Sequence, residues 1–220
     1  GTVMRPAVFR VAVSRLLGLP VSSSETTCPL CMQPLDCMGD HALCCKRSRD
    51  VITRHNRLRN LLFRFASAGL LNPEMEKLGI LGPTDPSSRR PGDVSIPLWR
   101  DGRGLAIDVA VINPLLHMGV DNPCEEYATA HKHRKYDSGF VGSRYFFAPV
   151  VFETSGGVNG EGEEVIKQIL RFASARSGSR HCVFAGRAWA RIACCIQDSV
   201  AQSILNRCPN SVDVEDVQDM

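Results

Sequence analysis

The sequence predicts an α/β fold in which a mixed central sheet is flanked by helices. Hydrophobic residues make up 44% of its 220 residues, which is enough to form a buried core. Helical periodicity alternates along the chain with short strand-like runs. These patterns follow the order helix, strands, helix, strand, helices, which is typical of an α/β core. No apolar run approaches the ~20 residues that cross a bilayer, so we expect no membrane association.

The helices are predicted from apolar residues at helical spacing and from glycine or proline at their ends. They span residues 6–18, 50–68, 123–137, 161–175 and 186–207. A linker rich in serine and threonine, residues 22–27, follows the first helix. Gly69 is expected to end the second helix, in which arginines lie between the apolar positions.

The strands are predicted from short apolar or alternating runs bounded by turn residues. They span residues 73–80, 94–99, 105–112 and 145–153. Asp101-Gly102 predicts a hairpin turn between the second and third strands. The third strand is an almost unbroken aliphatic run, which is typical of a strand covered on both faces. A loop rich in proline, serine and glycine, residues 82–92, precedes the second strand.

Positive charge is concentrated in one part of the chain. The net charge is +3, but the last eight residues contain four acids and no base. Between residues 46 and 64 only Asp50 is acidic, and the bases are Lys46, Arg47, Arg49, Arg54, Arg57, Arg59 and Arg64. Such a stretch attracts phosphate backbones. The charge alone leaves open a second interpretation, a solvated helix face.

The ten cysteines are unevenly distributed. Five of them lie within residues 28–45: Cys28, Cys31, Cys37, Cys44 and Cys45. The chain starts without the charged and then apolar layout of a signal peptide, so we expect a reducing compartment and a metal site instead of disulfides.

Cys28-Pro-Leu-Cys31 supplies two thiolates on a tight turn, as in the first half of a structural zinc site. Residues 39–45 supply a second half, with His41 as the expected third ligand and Cys45 as the fourth. Cys44 and Cys37 remain alternatives for the fourth ligand. Zinc would order a short segment that has little core of its own. Free thiols in a small apolar knot are the competing interpretation.

Two aspartates are candidates for a second metal site. Asp93 directly precedes the strand 94–99, and Asp108 lies in the middle of the aliphatic strand 105–112. A hairpin would let them face each other, and a lone carboxylate in such a strand is costly without a partner. A divalent cation shared by both acids would remove that cost and could activate water. A capped turn or a buried arginine partner is the alternative for Asp108.

This pattern resembles the PD-(D/E)XK nuclease signature, in which an acid after a proline is followed by an acid on the next strand. Asp93 matches the first acid and Asp108 the second. The lysine of the motif should stand at Ala110 and is absent, and Gly92 replaces the central residue often found in the motif. In some branches of the superfamily the lysine comes from the following helix, where Lys132 and Lys135 are candidates. We prefer Lys135, which Tyr136 follows.

Several further blocks, read together, resemble the region after the reverse transcriptase in site-specific non-LTR retrotransposons, over about residues 7–175. They are Phe9-Arg10, Leu17-Gly18-Leu19-Pro20, Cys-x-x-Cys, Gly39-Asp40-His41-Ala42-Leu43, Arg54-His55-Asn56, Arg90-Pro91-Gly92-Asp93, Lys132-x-x-Lys135-Tyr136 and Val151-Phe152-Glu153-Thr154. In that family a zinc knuckle precedes a restriction-like endonuclease. The resemblance therefore implies a PD-(D/E)XK restriction-endonuclease-like core behind a small zinc-knuckle module.

The resemblance also implies a function, a metal-dependent DNA endonuclease that nicks target DNA so that the exposed 3′ end primes reverse transcription. Asp93 and Asp108, with Glu76 or Glu153 as a further acid, would hold Mg²⁺ or Mn²⁺. Arg54, His55, Arg57 and Arg59 would grip the duplex. Expected partners are DNA, the element's RNA and the reverse transcriptase domain of the same polyprotein, in the nucleus.

The expected organisation has four parts. Residues 1–27 form an N-terminal helix and linker, 28–49 a CCHC-type zinc knuckle, 50–185 the restriction-like core, and 186–220 a C-terminal helix with an acidic tail. The competing function is a catalytically inactive, zinc-containing nucleic-acid-binding module derived from such an element. A protein-interaction scaffold is a third possibility.

Overall fold

The computed structural model describes residues 3–82, 90–117 and 119–208. The acidic tail and most of the loop 82–92 lie outside the described residues. Within them the fold is mixed α/β, as the sequence predicts, with a mixed four-stranded sheet and a small two-stranded one. No helix in this part of the chain is both long and apolar enough to cross a membrane.

The N-terminal third carries a helix and a small cysteine-containing module. Helix α1 (Pro6–Leu16) comes first. Strands β1 (Thr26–Thr27) and β2 (Pro34–Leu35) then pair antiparallel, and the short helix α2 (Asp40–Cys44) follows. Gly39 starts α2 with a φ of 78°. Because a Cβ at Gly39 would meet the side chain of Ile204 at 2.9 Å, glycine lets this module pack closely against the C-terminal helix.

Helix α3 (Asp50–Ala68) has the predicted bounds and ends at Gly69. Its apolar face is buried, with Leu58, Leu62 and Phe65 in the main core. The arginines of α3 lie between these apolar positions and have different partners. Arg54 contacts Leu43, Arg57 contacts Asp198 of the C-terminal helix, and Arg59 contacts Glu76. Helical spacing of the apolar residues fixes this arrangement.

The four-stranded sheet has the order β3-β4-β5-β6. Its strands are β3 (Glu74–Met75), β4 (Val94–Arg100), β5 (Arg103–Ile112) and β6 (Tyr145–Glu153). The β3-β4 and β4-β5 pairs are antiparallel, and the β5-β6 pair is parallel. The Asp101-Gly102 turn connects β4 to β5, and φ is positive at both residues, 51° and 70°, as a type I′ hairpin requires.

The predicted strand 73–80 is wrong in extent, because β3 contains only two residues. Glu76 adopts a φ of 47°, and Asn72 also has a positive φ. A left-handed residue cannot continue a pleated strand. Glu76 therefore lies in the turn after β3.

Both faces of the sheet are covered. The residues of β5 alternate between the two faces. Ile107 and Val109 belong to the main core, in which helices α3 and α6 (Gly160–Ser177) contact the sheet. Ala110 lies in a second cluster with Cys124 and Ala128, so the even-numbered face of β5 meets the helical segment 123–136.

That segment is not the single α-helix that the sequence predicts. It consists of α4 (Pro123–Tyr127), a π-helical turn (Ala128–His133) and α5 (Arg134–Tyr136). A π turn adds a residue to the helical repeat and rotates the residues that follow it. Lys132 lies within this π turn and Lys135 lies in α5, which follows it.

The C-terminal helix α7 (His181–Leu205) begins five residues earlier than predicted. It contacts α1, α3 and α6, and Ile192, Ile196 and Val200 are buried in the main core. The expected boundary between residues 185 and 186 falls inside this helix, so its residues belong to the same core as the sheet.

Candidate functional site

Asp93 and Asp108 meet across the β4-β5 hairpin. Val94 pairs with Ile107, and the Asp93 N–H donates to the carbonyl of Ile107 over 2.8 Å. This antiparallel register brings the residue before β4 next to the middle of β5. Both aspartates line one surface cleft of about 330 Å³.

The Asp93 carboxylate is held from two sides. Its Oδ2 accepts a hydrogen bond from the Val109 N–H over 2.6 Å and lies 3.1 Å from Nε2 of His55. The hydrogen bond to Asp93 raises the pKa of His55, although burial acts in the opposite direction. Helix α3 therefore contributes a side chain that fixes the orientation of this carboxylate.

Asp108 is 8% exposed, and its Oδ2 lies 2.5 Å from Nζ of Lys132. Burial raises the pKa of Asp108, and the nearby Asp93 adds to that effect, whereas the Lys132 ammonium acts against it. Burial lowers the pKa of Lys132, but the charge of Asp108 outweighs it and the net shift is upward. The cleft thus favours positive charge beside its two acids.

Lys132, and not Lys135, is the lysine at the acids. Lys132 lines the cleft, while Nζ of Lys135 lies 4.6 Å from the ring of Tyr136. Tyr136 packs against Phe147, with 5.3 Å between ring centroids, and does not line the cleft. The sequence favours Lys135 and Tyr136, but the structure places both outside the cleft and Lys132 in it.

Tyr127 is a cleft residue that the sequence does not single out. Its ring lies 5.9 Å from the Lys132 ammonium and 4.7 Å from the ring of His131. Its position at the end of α4, one turn before Lys132, is the only sequence signal that could have indicated it. The aliphatic side chains of Val51 and Ile52 line the opposite wall.

Each of the two acids has one carboxylate oxygen that could bind a divalent cation. In each carboxylate Oδ2 has the contacts described above, and within the described residues neither Oδ1 has a hydrogen-bond partner. Carboxylate oxygens are the ligands that Mg²⁺ and Mn²⁺ prefer. Asp93 and Asp108 could therefore hold such an ion through their remaining oxygens.

Glu76 does not join the acid pair. Its carboxylate oxygens lie 2.6 Å from Arg59 and 3.0 Å from Arg90, and it does not line the cleft. Its backbone N–H donates to the carbonyl of Asp93, so it supports the chain at Asp93 without offering its side chain. Glu153, at the far end of β6, accepts from the hydroxyl of Ser155 over 2.6 Å.

The four residues expected to grip DNA have separate structural partners. Arg54 is 2% exposed and donates to the carbonyl of Leu43 over 3.0 Å, so its guanidinium lies in the protein interior and not on the surface where a duplex would contact it. His55 meets Asp93, as described. Arg59 is paired with Glu76. The side chain of Arg57 is 41% exposed, and it forms a 2.6 Å ion pair with Asp198 of α7.

A second candidate site lies in the N-terminal module. Donor atoms of Cys28, Cys31, His41 and Cys45 all lie within 4.8 Å of one another. The sulfur of Cys45 is 3.9 Å from that of Cys28 and 3.7 Å from that of Cys31. A tetrahedron of ~2.3 Å zinc–sulfur bonds has an edge of about 3.8 Å. This Cys₃His cluster could hold a metal such as zinc.

The surrounding backbone supports these ligands. The Asp36 carboxylate accepts from the N–H groups of Asp40 and His41, each over 2.9 Å, which anchors the helix that carries His41. Burial raises the pKa of Cys28, but the N–H groups of Leu30 and Cys31 outweigh it, and the pKa falls to about 6. A thiol of this kind is readily ionised, as a zinc ligand must be.

Cys44 and Cys37 lie outside the cluster. The Cys44 sulfur is directed at the helix carbonyls of Asp40 and His41, 3.6 Å from each. Among the alternatives for the fourth ligand, the structure therefore selects Cys45. Within the described residues all ten cysteines are free of disulfide bonds.

Comparison of this chain with protein-family models, with curated proteins and with solved structures gave no match.

Proposed function

We propose that this protein is a metal-dependent DNA endonuclease with a PD-(D/E)XK-like core, which nicks DNA by hydrolysing a phosphodiester. The observation that carries the proposal is one cleft in which Asp93, Asp108 and Lys132 come together at a hairpin. Two carboxylates can hold a metal ion that activates water for hydrolysis of a phosphodiester, and an adjacent ammonium can stabilise the negative charge that develops on the phosphate.

Each residue has a role in this proposal. Asp93 and Asp108 would hold Mg²⁺ or Mn²⁺, which supplies an activated water and stabilises charge on the phosphate. Lys132 takes the place of the lysine missing at Ala110, and its ammonium stabilises negative charge that develops on the phosphate. His55 donates to the Asp93 carboxylate and keeps it aimed at the cleft.

The wider context is part of the same proposal. The zinc module would be structural, as in the knuckle that precedes such nucleases. The nick would prime reverse transcription in the nucleus, with DNA, the element's RNA and a reverse transcriptase domain as partners. What supports this context is the sequence resemblance, together with the Cys₃His cluster.

The test is nicking of a supercoiled plasmid by the zinc-loaded protein with added magnesium or manganese. We expect nicked circles from the wild type and none above background from Asp93→Ala or Asp108→Ala. Asp121→Ala, which removes an exposed acid outside the cleft, should nick like the wild type. If the wild type and Asp108→Ala relax the plasmid equally slowly, the endonuclease proposal fails.

A second candidate is an inactive, zinc-containing nucleic-acid-binding module. The observation that favours it is the direct Lys132–Asp108 ion pair, which neutralises a carboxylate that a metal would need. This candidate predicts a mobility shift of DNA without metal-dependent nicking. A protein that shifts no DNA even at low salt would instead indicate the interaction scaffold.

A further inference from the structure

A cleft lined by three arginines lies between α3, α7 and the N-terminal residues Val3 and Met4, away from the acid pair. Its volume is about 420 Å³. The polar and charged side chains that line it are Arg57, Asn60, Arg64, Arg191 and Asp198, and Leu61, Cys194 and Cys195 complete the lining. The lining residues of α3 lie more than 120 positions before those of α7 in the sequence, so only the fold brings the two groups together.

The charge of this cleft is not balanced. Among the described residues Asp198 is the only acid in the lining, and it forms an ion pair with Arg57. In the described part of the chain, Arg64 and Arg191 have no carboxylate partner. The Arg191 guanidinium lies 5.8 Å from the ring of Phe65, a contact that orients the group without neutralising it. Two guanidinium groups thus remain available to an anion.

The cleft lies on a different face of α3 from the candidate nicking centre. His55 and Arg59, one turn apart, point to Asp93 and Glu76, whereas Arg57 and Arg64 point toward α7. Arg57 and Arg64 are seven residues apart, which corresponds to about 10 Å along a helix. A cleft of this length can accommodate more than one phosphate of a strand.

We infer that this cleft binds the phosphodiester backbone of a nucleic acid, as a second contact separate from the acid pair. Guanidinium groups form paired hydrogen bonds with phosphate oxygens. The inference rests on the proposed function only in taking nucleic acid as the ligand, and it requires neither the catalytic metal nor the two acids. Its ligand chemistry is the same for DNA and RNA.

Two cysteines allow a direct test by pulsed maleimide labelling. Cys194 lines the cleft, and Cys182 is exposed near the start of the same helix. Trypsin separates them into residues 181–187 and 192–207, and fragmentation of the second peptide in the mass spectrometer distinguishes Cys194 from the adjacent Cys195. The zinc-loaded protein is labelled without added magnesium or manganese, alone and with a DNA duplex or an RNA of equal length.

Bound nucleic acid should slow labelling of Cys194 and leave that of Cys182 unchanged. The nucleic acid that protects Cys194, DNA or RNA, is the one whose backbone the cleft binds. Unprotected Cys194 in a protein saturated with nucleic acid would overturn the inference. Equal protection by inorganic phosphate at the same phosphate concentration would also overturn it, because the cleft would then be a small-anion site.

A charge variant gives an independent readout. Arg64→Gln/Arg191→Gln should make the plot of log affinity against log salt less steep, with the magnitude of its negative slope reduced by about 2. Each lost phosphate contact accounts for about 0.9 of that slope on duplex DNA. The matched control, Arg176→Gln/Arg180→Gln, removes the same charge from exposed positions outside the cleft. Identical slopes for both double variants would contradict the inference. If the protein does not nick DNA but the two double variants show the expected slopes, the endonuclease proposal fails and the inference about this cleft is supported.

Discussion

The ammonium of Lys132 lies 2.5 Å from Oδ2 of Asp108, and it reaches this buried carboxylate from the π turn that faces β5. In the PD-(D/E)XK motif that the sequence resembles, the lysine would stand at Ala110, two residues after Asp108. Both positions lie on the same face of β5, so a lysine from the facing helix reaches the same place. Location in the cleft, not position in the motif, decides which lysine can act.

The first prediction separates the two lysines. Lys132→Met should slow metal-dependent nicking by about 100-fold, the loss typical when one group that stabilises transition-state charge is removed. Lys135→Met removes the same charge three residues later and should nick nearly as fast as the wild type. Initial rates on supercoiled plasmid measure both, and equal rates for the two variants would exclude a special role for Lys132.

The second prediction concerns His55 and metal affinity. Because His55 holds Oδ2 of Asp93, His55→Ala should raise the magnesium concentration for half-maximal nicking by about tenfold, the usual effect of removing a hydrogen-bond partner of a metal ligand. His133 serves as the control, since it pairs with Asp137 and Glu161 and is absent from the cleft lining. An unchanged magnesium dependence in His55→Ala would mean that Asp93 needs no such support.

The strands that carry the acids could be predicted because local chemistry fixes them. An aliphatic run predicts β5, and Asp101-Gly102 is suited to the positive φ angles of the turn. Once these two features are known, the neighbourhood of Asp93 and Asp108 follows. The helix α3 is equally local, and its periodicity gave its bounds.

The side chains around the acids could not be predicted in the same way. Residues 128–133 form a π turn that contacts β6, and α-helical spacing assumed from the sequence does not show that Lys132 lies in the cleft while Lys135 lies outside it. Arg54 belongs to a basic stretch that the sequence suggests for DNA contact, but its guanidinium is buried and donates to the carbonyl of Leu43. Charge along a sequence carries no information on which arginines are buried.

The third prediction identifies the fourth ligand of the metal cluster. Cys45→Ser should lose most of its bound zinc, because the Cys45 sulfur lies within 4 Å of those of Cys28 and Cys31. Cys44→Ser is the matched control, as its sulfur contacts helix carbonyls instead, and it should keep one zinc per chain. Elemental analysis of the purified variants measures zinc content directly.

Zinc loss should also affect stability. The module packs on α7 through α2, so Cys45→Ser should lower the melting temperature of the protein while Cys44→Ser leaves it nearly unchanged. Equal zinc content in the two variants would mean that Cys45 is not the fourth zinc ligand. Zinc in both variants together with loss in Cys37→Ser would assign the fourth position to Cys37.

The last prediction concerns acid stability and the ion pair between Asp50 and Arg207, which joins the start of α3 to the end of α7. The two side chains lie 2.5 Å apart, and that of Arg207 is 2% exposed. Burial raises the pKa of Asp50, but the Ser48 hydroxyl and the Arg207 guanidinium outweigh it, and the net shift is downward. A depressed carboxyl pKa stabilises the fold above the unfolded value of about 3.9 and stops doing so as the pH falls through the folded value.

Asp50→Asn should therefore lower the free energy of unfolding by about 3 kcal/mol at neutral pH, because it leaves a buried guanidinium without its partner. The difference from the wild type should stay constant from pH 8 to pH 5 and shrink below about pH 4. Urea titrations at a series of pH values measure it. Glu164→Gln, which breaks an exposed pair with Lys167 on α6, should show no comparable loss, and a difference for Asp50→Asn that persists undiminished to pH 3 would contradict the ionic origin of the stabilisation.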